Sequence, residues 1–390
     1  MTSAEVAELS AAWEMGVYQR YPVAFTGGCG VYLSDGQGKS YLDLFAGVAV
    51  SQLGYSHPRL TAAVRDGAGL LHLSNHYHCV ERALLARRLG ELSSGMRVFF
   101  VNSGTEAVEA AIKLIRKWGG ERRRIITTLG SFHGRTLGAL AATGQSKYQR
   151  DFEPLPGGFA HVPFDDLTAT EEAVDEHTAA VMVEPIQGEG GIHPASLAYL
   201  RGLRQLADQR GILLVFDEVQ CGLGRTGSLF AYQEYDVEPD IVVLAKGLGG
   251  GVPIGAVLAK PDVAAAFVPG DHGSTFGGNP LSCRAALAVL AAIEEEDILE
   301  RVRRVGRFLR EGLQKLAAGC PAIREIRGMG LMIGAELAFP ARPVAEACLR
   351  HGLLVGVSDR TLRFEPPLIL TEEEAEHGLA ILGEVLGEMS

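Results

Sequence analysis

Three short stretches of this chain place chemistry-bearing residues directly after apolar runs. Ser103-Gly104-Thr105-Glu106 follows VFFVN (98–102) and opens a helical pattern. Ser103 and Glu106 have capping-box spacing, and Gly104 lets a ligand approach the backbone. Free N–H groups and the helix dipole at such a start suit phosphate, although the same residues also make an ordinary capped helix. Asp217 lies at the carboxyl end of ILLVFDE (212–218), and Lys246 ends DIVVLAK (240–246) before the run GLGGGVPIG. A lysine on the last residue of an apolar strand is partly desolvated, which favours the neutral amine that Schiff-base chemistry needs. A lysine that caps the strand and snorkels to solvent is the alternative. The glycine run fails as a dinucleotide fingerprint, because it follows a lysine and leads into another strand.

The elements that must position these residues read as a doubly wound α/β sheet. Strand patterns lie at 98–102, 124–129, 179–184, 212–218, 240–246 and 254–259, and several are apolar nearly throughout, as expected of parallel strands buried on both faces. Helical patterns at 106–118 and 194–209 lie between them, so ligands are expected beyond the carboxyl ends of the strands. The flanks differ. Residues 1–48 hold a helix pattern and a hairpin-like stretch with turn signals at Asp35-Gly36 and Gln37-Gly38. Beyond residue 276 come long amphipathic helices (279–295, 298–316), a strand-rich region, and a last helix opened by Thr371 and Glu374 in capping-box spacing. The expected division is an N-terminal segment, 1–48, that joins a C-terminal small domain, 276–390, around a large domain, 49–275.

Composition narrows the function. With 36 Lys+Arg against 47 Asp+Glu, the net charge is −11, which argues against a nucleic-acid partner. The longest apolar run, 285–293, is far short of the roughly 20 residues that span a bilayer, so no membrane partner is expected. Cys29, Cys79, Cys221, Cys283, Cys320 and Cys348 form no CxxC pair and read as reduced thiols of a cytoplasmic enzyme. Glycine is in excess, 49 of 390 residues against an average of about 7%, a hint of turns and ligand loops. A phosphate cradle, a buried carboxylate and a strand-end lysine on one sheet edge together suit pyridoxal 5'-phosphate.

SGTEAVEAAIKLIRKW, SFHGRT, VEPIQGEGG, LLVFDEVQCGLGRTG, VVLAKGLGGGVPIGA and STFGGNPLSCRAAL occur in order from residue 103 onward. In these motifs the chain resembles the class III aminotransferases of fold type I, and the likeness extends from Tyr18 to about Pro367. The resemblance implies the fold of the pyridoxal-phosphate-dependent transferases: a mostly parallel central sheet with helices on both faces plus a smaller α+β domain. It implies that Ser103, Gly104 and Thr105 bind the phosphate, Phe132 and Val219 pack the two faces of the pyridine ring, and Gln220 meets its phenolic oxygen. Asp217 would pair with the ring nitrogen and Lys246 would carry the cofactor and act as general base. Thr275 would reach the phosphate held by a neighbouring subunit, which makes a homodimer with shared sites the expected active unit.

Both substrates carry carboxylates, for which guanidinium groups are natural clamps. By the same resemblance Arg135 meets a substrate carboxylate, Arg363 engages 2-oxoglutarate, and Glu189 pairs with Arg363 while the amine donor is bound. Ser274 would lie near the substrate and Tyr18 at the entrance. The implied reaction moves the δ-amino group of N2-acetyl-L-ornithine to 2-oxoglutarate, giving glutamate, in two half-reactions at one site. Members acting on free ornithine carry a tyrosine at the position of Val48, whose small side chain here favours an acylated donor. N-Succinyl-diaminopimelate, succinylornithine, ornithine and 4-aminobutyrate are the alternative donors. An aminomutase of the same fold, which needs no keto acid, is the rival from another class. His72, His76 and His78 lack the companion carboxylates of a metal site, so no metal is expected. His133, beside Phe132, is set aside as a catalytic base in favour of Lys246.

Overall fold

The computed structural model describes residues 1–389. Its centre is a seven-stranded sheet in the order Arg97–Val101, Gly255–Ala259, Ile241–Leu244, Leu213–Asp217, Thr178–Val183, Arg124–Thr128, Phe159–Val162. Every residue of Thr178–Val183, Leu213–Asp217 and Ile241–Leu244 is buried, as continuous apolar runs require when helices cover both faces. Each buried Val, Leu or Ile contributes about 1.5–3 kcal/mol, which fixes the strands and therefore the places where they end. Gly255–Ala259 alone runs antiparallel to its two neighbours, unlike the parallel strand expected there. The reason is chain length. Between Leu244 and Gly255 lies only a short 3-10 turn, too little for the crossover that a parallel return needs. The edge strand Phe159–Val162, with His161 in it, has too short an apolar pattern to be legible in the sequence.

Helix Gly104–Gly119 starts two residues earlier than its sequence pattern and packs an alanine-rich stripe (Ala107, Ala110, Ala111) onto the sheet. The two ends of the chain meet in one small sheet, because Leu353–Leu354 pairs in parallel with Ser40–Asp43. A second antiparallel sheet orders Ile323–Met329, Met332–Leu337, Thr361–Phe364 and Gly356–Ser358. The last helix, Glu372–Glu388, carries the expected Thr371/Glu374 capping box. Helix Pro280–Glu295, just past the expected domain boundary, packs on Pro58–Gly67 and Val80–Leu92 on the side of the large sheet. No helix among the described residues is long and apolar enough to cross a membrane.

Candidate active site

Five strands of the large sheet deliver their carboxyl ends to one cavity of about 390 Å³. Ser103, Gly104, Thr105, Phe132, Arg135, Glu189, Asp217, Val219, Gln220 and Lys246 all line it. The apolar strands bring these residues together by ending in register, where the backbone first escapes the core.

At the phosphate cradle, Ser103 Oγ accepts a hydrogen bond from the Glu106 N–H at 3.3 Å. The reciprocal half of the expected capping box is shifted by one residue: Glu106 Oε2 accepts from the Asn102 N–H at 3.0 Å instead. That leaves the Gly104 and Thr105 N–H groups, at the helix start on the cavity wall, without an intrahelical acceptor and so suited to an anion. Thr105 Oγ1 is already bonded to Thr136 Oγ1 at 2.8 Å, whose own hydroxyl donates to Glu109. Thr105 is thus left its backbone N–H for an anion. A Cβ on Gly104 would come within 2.9 Å of Val219 Cγ1, so only glycine lets the helix start close on that wall.

Asp217 is 4% exposed, with Oδ1 accepting from the Val219 N–H at 3.0 Å and Oδ2 at 2.7 Å from His133 Nδ1. Burial pushes the His133 imidazole down, but the hydrogen bond and charge of Asp217 outweigh it and raise its pKa. His133 is therefore the residue that orients Asp217, a role that its neighbours in the sequence do not reveal. Glu184 is a second missed group. It lies on the cavity wall, accepts from the Phe132 and Gly188 N–H groups, and burial lifts its carboxyl to about 8.

Lys246 does not sit on the strand. The strand stops at Leu244, and Lys246 begins the 3-10 turn Lys246–Gly249 with φ +44°. The left-handed backbone breaks the chain away from the sheet, and such conformations at non-glycine residues cluster at functional sites. Burial pushes the ammonium down, opposed chiefly by the charges of Glu189 and Glu365. Also on the cavity wall, Glu189 Oε1 lies 2.8 Å from Arg363 Nη1. Burial raises the Glu189 carboxyl, but Arg363 and Lys246 outweigh it and hold it below the ordinary range.

A family model for the class-III aminotransferases matches residues 16–386. The chain belongs to the class-III aminotransferase family. It is 50% identical over 383 residues to the acetylornithine aminotransferase of Caldanaerobacter subterraneus subsp. tengcongensis, covering 96% of this chain and 97% of that protein. Among solved structures, the ornithine aminotransferase of Toxoplasma gondii superimposes with a TM-score of 0.96 at 34% identity, covering 100% of this chain and 96% of the other. The N-acetylornithine aminotransferase of Stenotrophomonas maltophilia gives 0.85 at 39% identity, with 98% of each chain covered. The backbone thus fits an enzyme of free ornithine at least as well as one of the acylated amino acid, and the donor must be argued from side chains.

For a class-III aminotransferase the remaining expected residues fall in three places. Arg135 is exposed at the cavity rim, its guanidinium carbon 4.3 Å from the centre of the Tyr148 ring. Arg363 is 3% exposed on strand Thr361–Phe364, behind Glu189 rather than on the cavity wall, with Phe45 against its face at 5.1 Å. Ser274, Thr275 and Tyr18 do not reach the cavity of their own chain. Ser274 Oγ accepts from Asn102 Nδ2 at 3.1 Å, one residue removed from the wall, while Thr275 and Tyr18 are exposed. Val48 is also off the wall. It has φ +68° within a left-handed turn, Ala46–Ala49, and the side chain that lines the cavity from this loop is Val50.

The residues fit pyridoxal 5'-phosphate. An anion cradle, an acid fixed by His133 and a desolvated lysine surround one cavity. The buried Gln220 Oε1 on its wall has no hydrogen-bond partner among the described residues. When bound, that group supplies an electrophilic aldehyde and a protonated ring that accepts electrons from the substrate carbon.

Proposed function

We propose that this chain is a pyridoxal-phosphate-dependent aminotransferase that moves the δ-amino group of N2-acetyl-L-ornithine to 2-oxoglutarate, a step of arginine biosynthesis. The observation that carries the reading is the Glu189–Arg363 pair, whose Glu189 lines the same cavity as Lys246. Closed, the pair neutralises the guanidinium and leaves a site for a donor's amine; opened, it presents a fork for the second carboxylate of a diacid. One cavity so alternates between two substrates, as ping-pong transfer demands. An aminomutase keeps both amino groups on one molecule and has no use for such a switch. Lys246 Nζ would move the proton from the donor's δ-carbon, and Asp217 would hold the counter-charge of the protonated ring nitrogen. Arg135, at the rim, takes the donor's own carboxylate.

The acylated donor is supported by the half-identical relative named for acetylornithine and by an apolar side chain, Val50, where this loop meets the cavity. Thr275, on an exposed stretch beside Phe276, with Tyr77, Val80 and Leu84 also exposed, supports a homodimer in which Thr275 completes the partner's phosphate site. Residues 49–275, with helix Pro280–Glu295 packed onto them, are the cofactor platform of this reading, and 1–48 with the rest of the C-terminal segment are the second layer, which contributes Arg363. The cytoplasm is the compartment that suits it. Initial rates with acetylornithine, ornithine and 4-aminobutyrate, each with 2-oxoglutarate, test the donor. Acetylornithine is expected to exceed the others by at least about tenfold in kcat/KM, and a preference for free ornithine refutes the choice.

A further inference from the structure

Glu365 is fully buried, and neither of its carboxylate oxygens has a hydrogen-bond partner among the described residues. Residues 363 and 365 share one side of the chain at the end of strand Thr361–Phe364, and Glu365 Oε2 lies 3.8 Å from Arg363 Nη1. The same Nη1 donates to Glu189 at 2.8 Å and more distantly to the Gly188 carbonyl at 3.4 Å. Arg363 Nε is buried without a hydrogen-bond partner among the described residues. The guanidinium thus has one close anion on the cavity side, a second just out of hydrogen-bond reach, and an aromatic face at Phe45.

This arrangement matters when Glu189 leaves. While the donor is bound, Glu189 itself orients Arg363. Once Glu189 swings away, a buried guanidinium left with only the long Gly188 carbonyl contact and a ring face would lack a counter-charge and a firm orientation, and both losses are costly. We infer that Glu365 is a positioning residue for Arg363: it keeps the guanidinium paired and aimed at the cavity during the half of the reaction in which Glu189 has let go. The inference rests on the two-substrate reading given above. A competing role is that of counter-ion to the buried Arg225, whose charge Glu365 and Asp43 also offset. The two roles differ in what they disturb. A counter-ion to Arg225 supports the fold, and its loss affects both half-reactions alike.

The test follows the half-reactions separately in the holoenzyme, by stopped-flow absorbance, for Glu365→Gln and Glu365→Asp. It adds calorimetric binding of glutarate, an unreactive diacid. For Glu365→Gln the rate constant per mole of 2-oxoglutarate is expected to fall about tenfold, with a similar weakening of glutarate, since misplacing a clamp is costly. The acetylornithine half-reaction is expected to fall less than about threefold. Glu365→Asp keeps the charge but draws the carboxylate back by about 1.5 Å, and falls between. If Glu365→Gln does not fold, the aspartate variant alone must still show the larger loss on the diacid side. Equal losses in both half-reactions, or unchanged 2-oxoglutarate and glutarate values, overturn the inference. Wild-type enzyme that ignores 2-oxoglutarate would instead overturn the transaminase reading, before any variant is made.

Discussion

Replacing Lys246 by alanine is expected to lower turnover by ~10⁴-fold or more, because one substitution removes both the amine that holds the cofactor and the base that moves the proton. The loss corresponds to about 5 kcal/mol of transition-state stabilisation or more. The fold should survive. Lys246 sits in a turn rather than in the sheet, its ammonium is disfavoured by burial, and the melting temperature should move by no more than about 2–4 °C. Lys246→Arg is the informative companion. It keeps a positive charge beside Glu189, yet a guanidinium cannot give up its proton, so it should be as inactive as alanine. Activity in the arginine variant would mean that Lys246 serves only as a charge. Steady-state rates with circular dichroism on the same samples separate chemistry from folding.

Asp217→Asn is expected to cost about 10²- to 10³-fold, the equivalent of losing a charge partner that shifts a ring nitrogen by 1–3 pKa units. The amide preserves shape and can still meet His133, so the loss should be in kcat far more than in structure. Its signature lies in pH. Without the carboxylate the ring nitrogen is protonated only at lower pH, so the ratio of variant to wild-type activity should rise as pH falls. A ratio that is flat with pH would place the role of Asp217 in packing alone. His133 has its own part in this, since the 2.7 Å contact to Oδ2 and the Val219 N–H on Oδ1 leave the carboxylate little freedom to turn.

How much of this was legible in the sequence depends on whether the cause was local. Asp217 could be placed because a continuous apolar run must stop where the backbone leaves the core, and the first polar residue marks that point. For Lys246 the apolar run marks the sheet edge but not the left-handed turn that the residue begins. A Cβ on the next residue, Gly247, would come within 1.8 Å of Gln52 Nε2, so this turn is shaped by a loop nearly 200 residues earlier. The contact His133 makes with Asp217 is hidden from the sequence for a similar reason. His133 follows the strand Arg124–Thr128 and reaches an aspartate at the end of Leu213–Asp217, with Thr178–Val183 lying between the two strands. Adjacency to Phe132 in the chain says nothing of that pairing. The small sheet joining Ser40–Asp43 to Leu353–Leu354 is equally invisible to periodicity, because its strands are short and its contacts non-local.

The glycine excess is now partly accounted for in physical terms. A Cβ on Gly188 would overlap Gln220 Oε1 at 1.3 Å, and one on Gly134 would overlap Thr105 Oγ1 at 2.3 Å. Both lie in loops that close the cavity, where side chains from different strands must meet without intervening bulk.

The most direct test of the account is the visible absorbance of the purified protein with pyridoxal 5'-phosphate, followed through sequential additions. The expected result is a band from the lysine-bound cofactor that bleaches on adding acetylornithine and returns on adding 2-oxoglutarate. A protein that shows no such band, or whose band ignores acetylornithine, would contradict it.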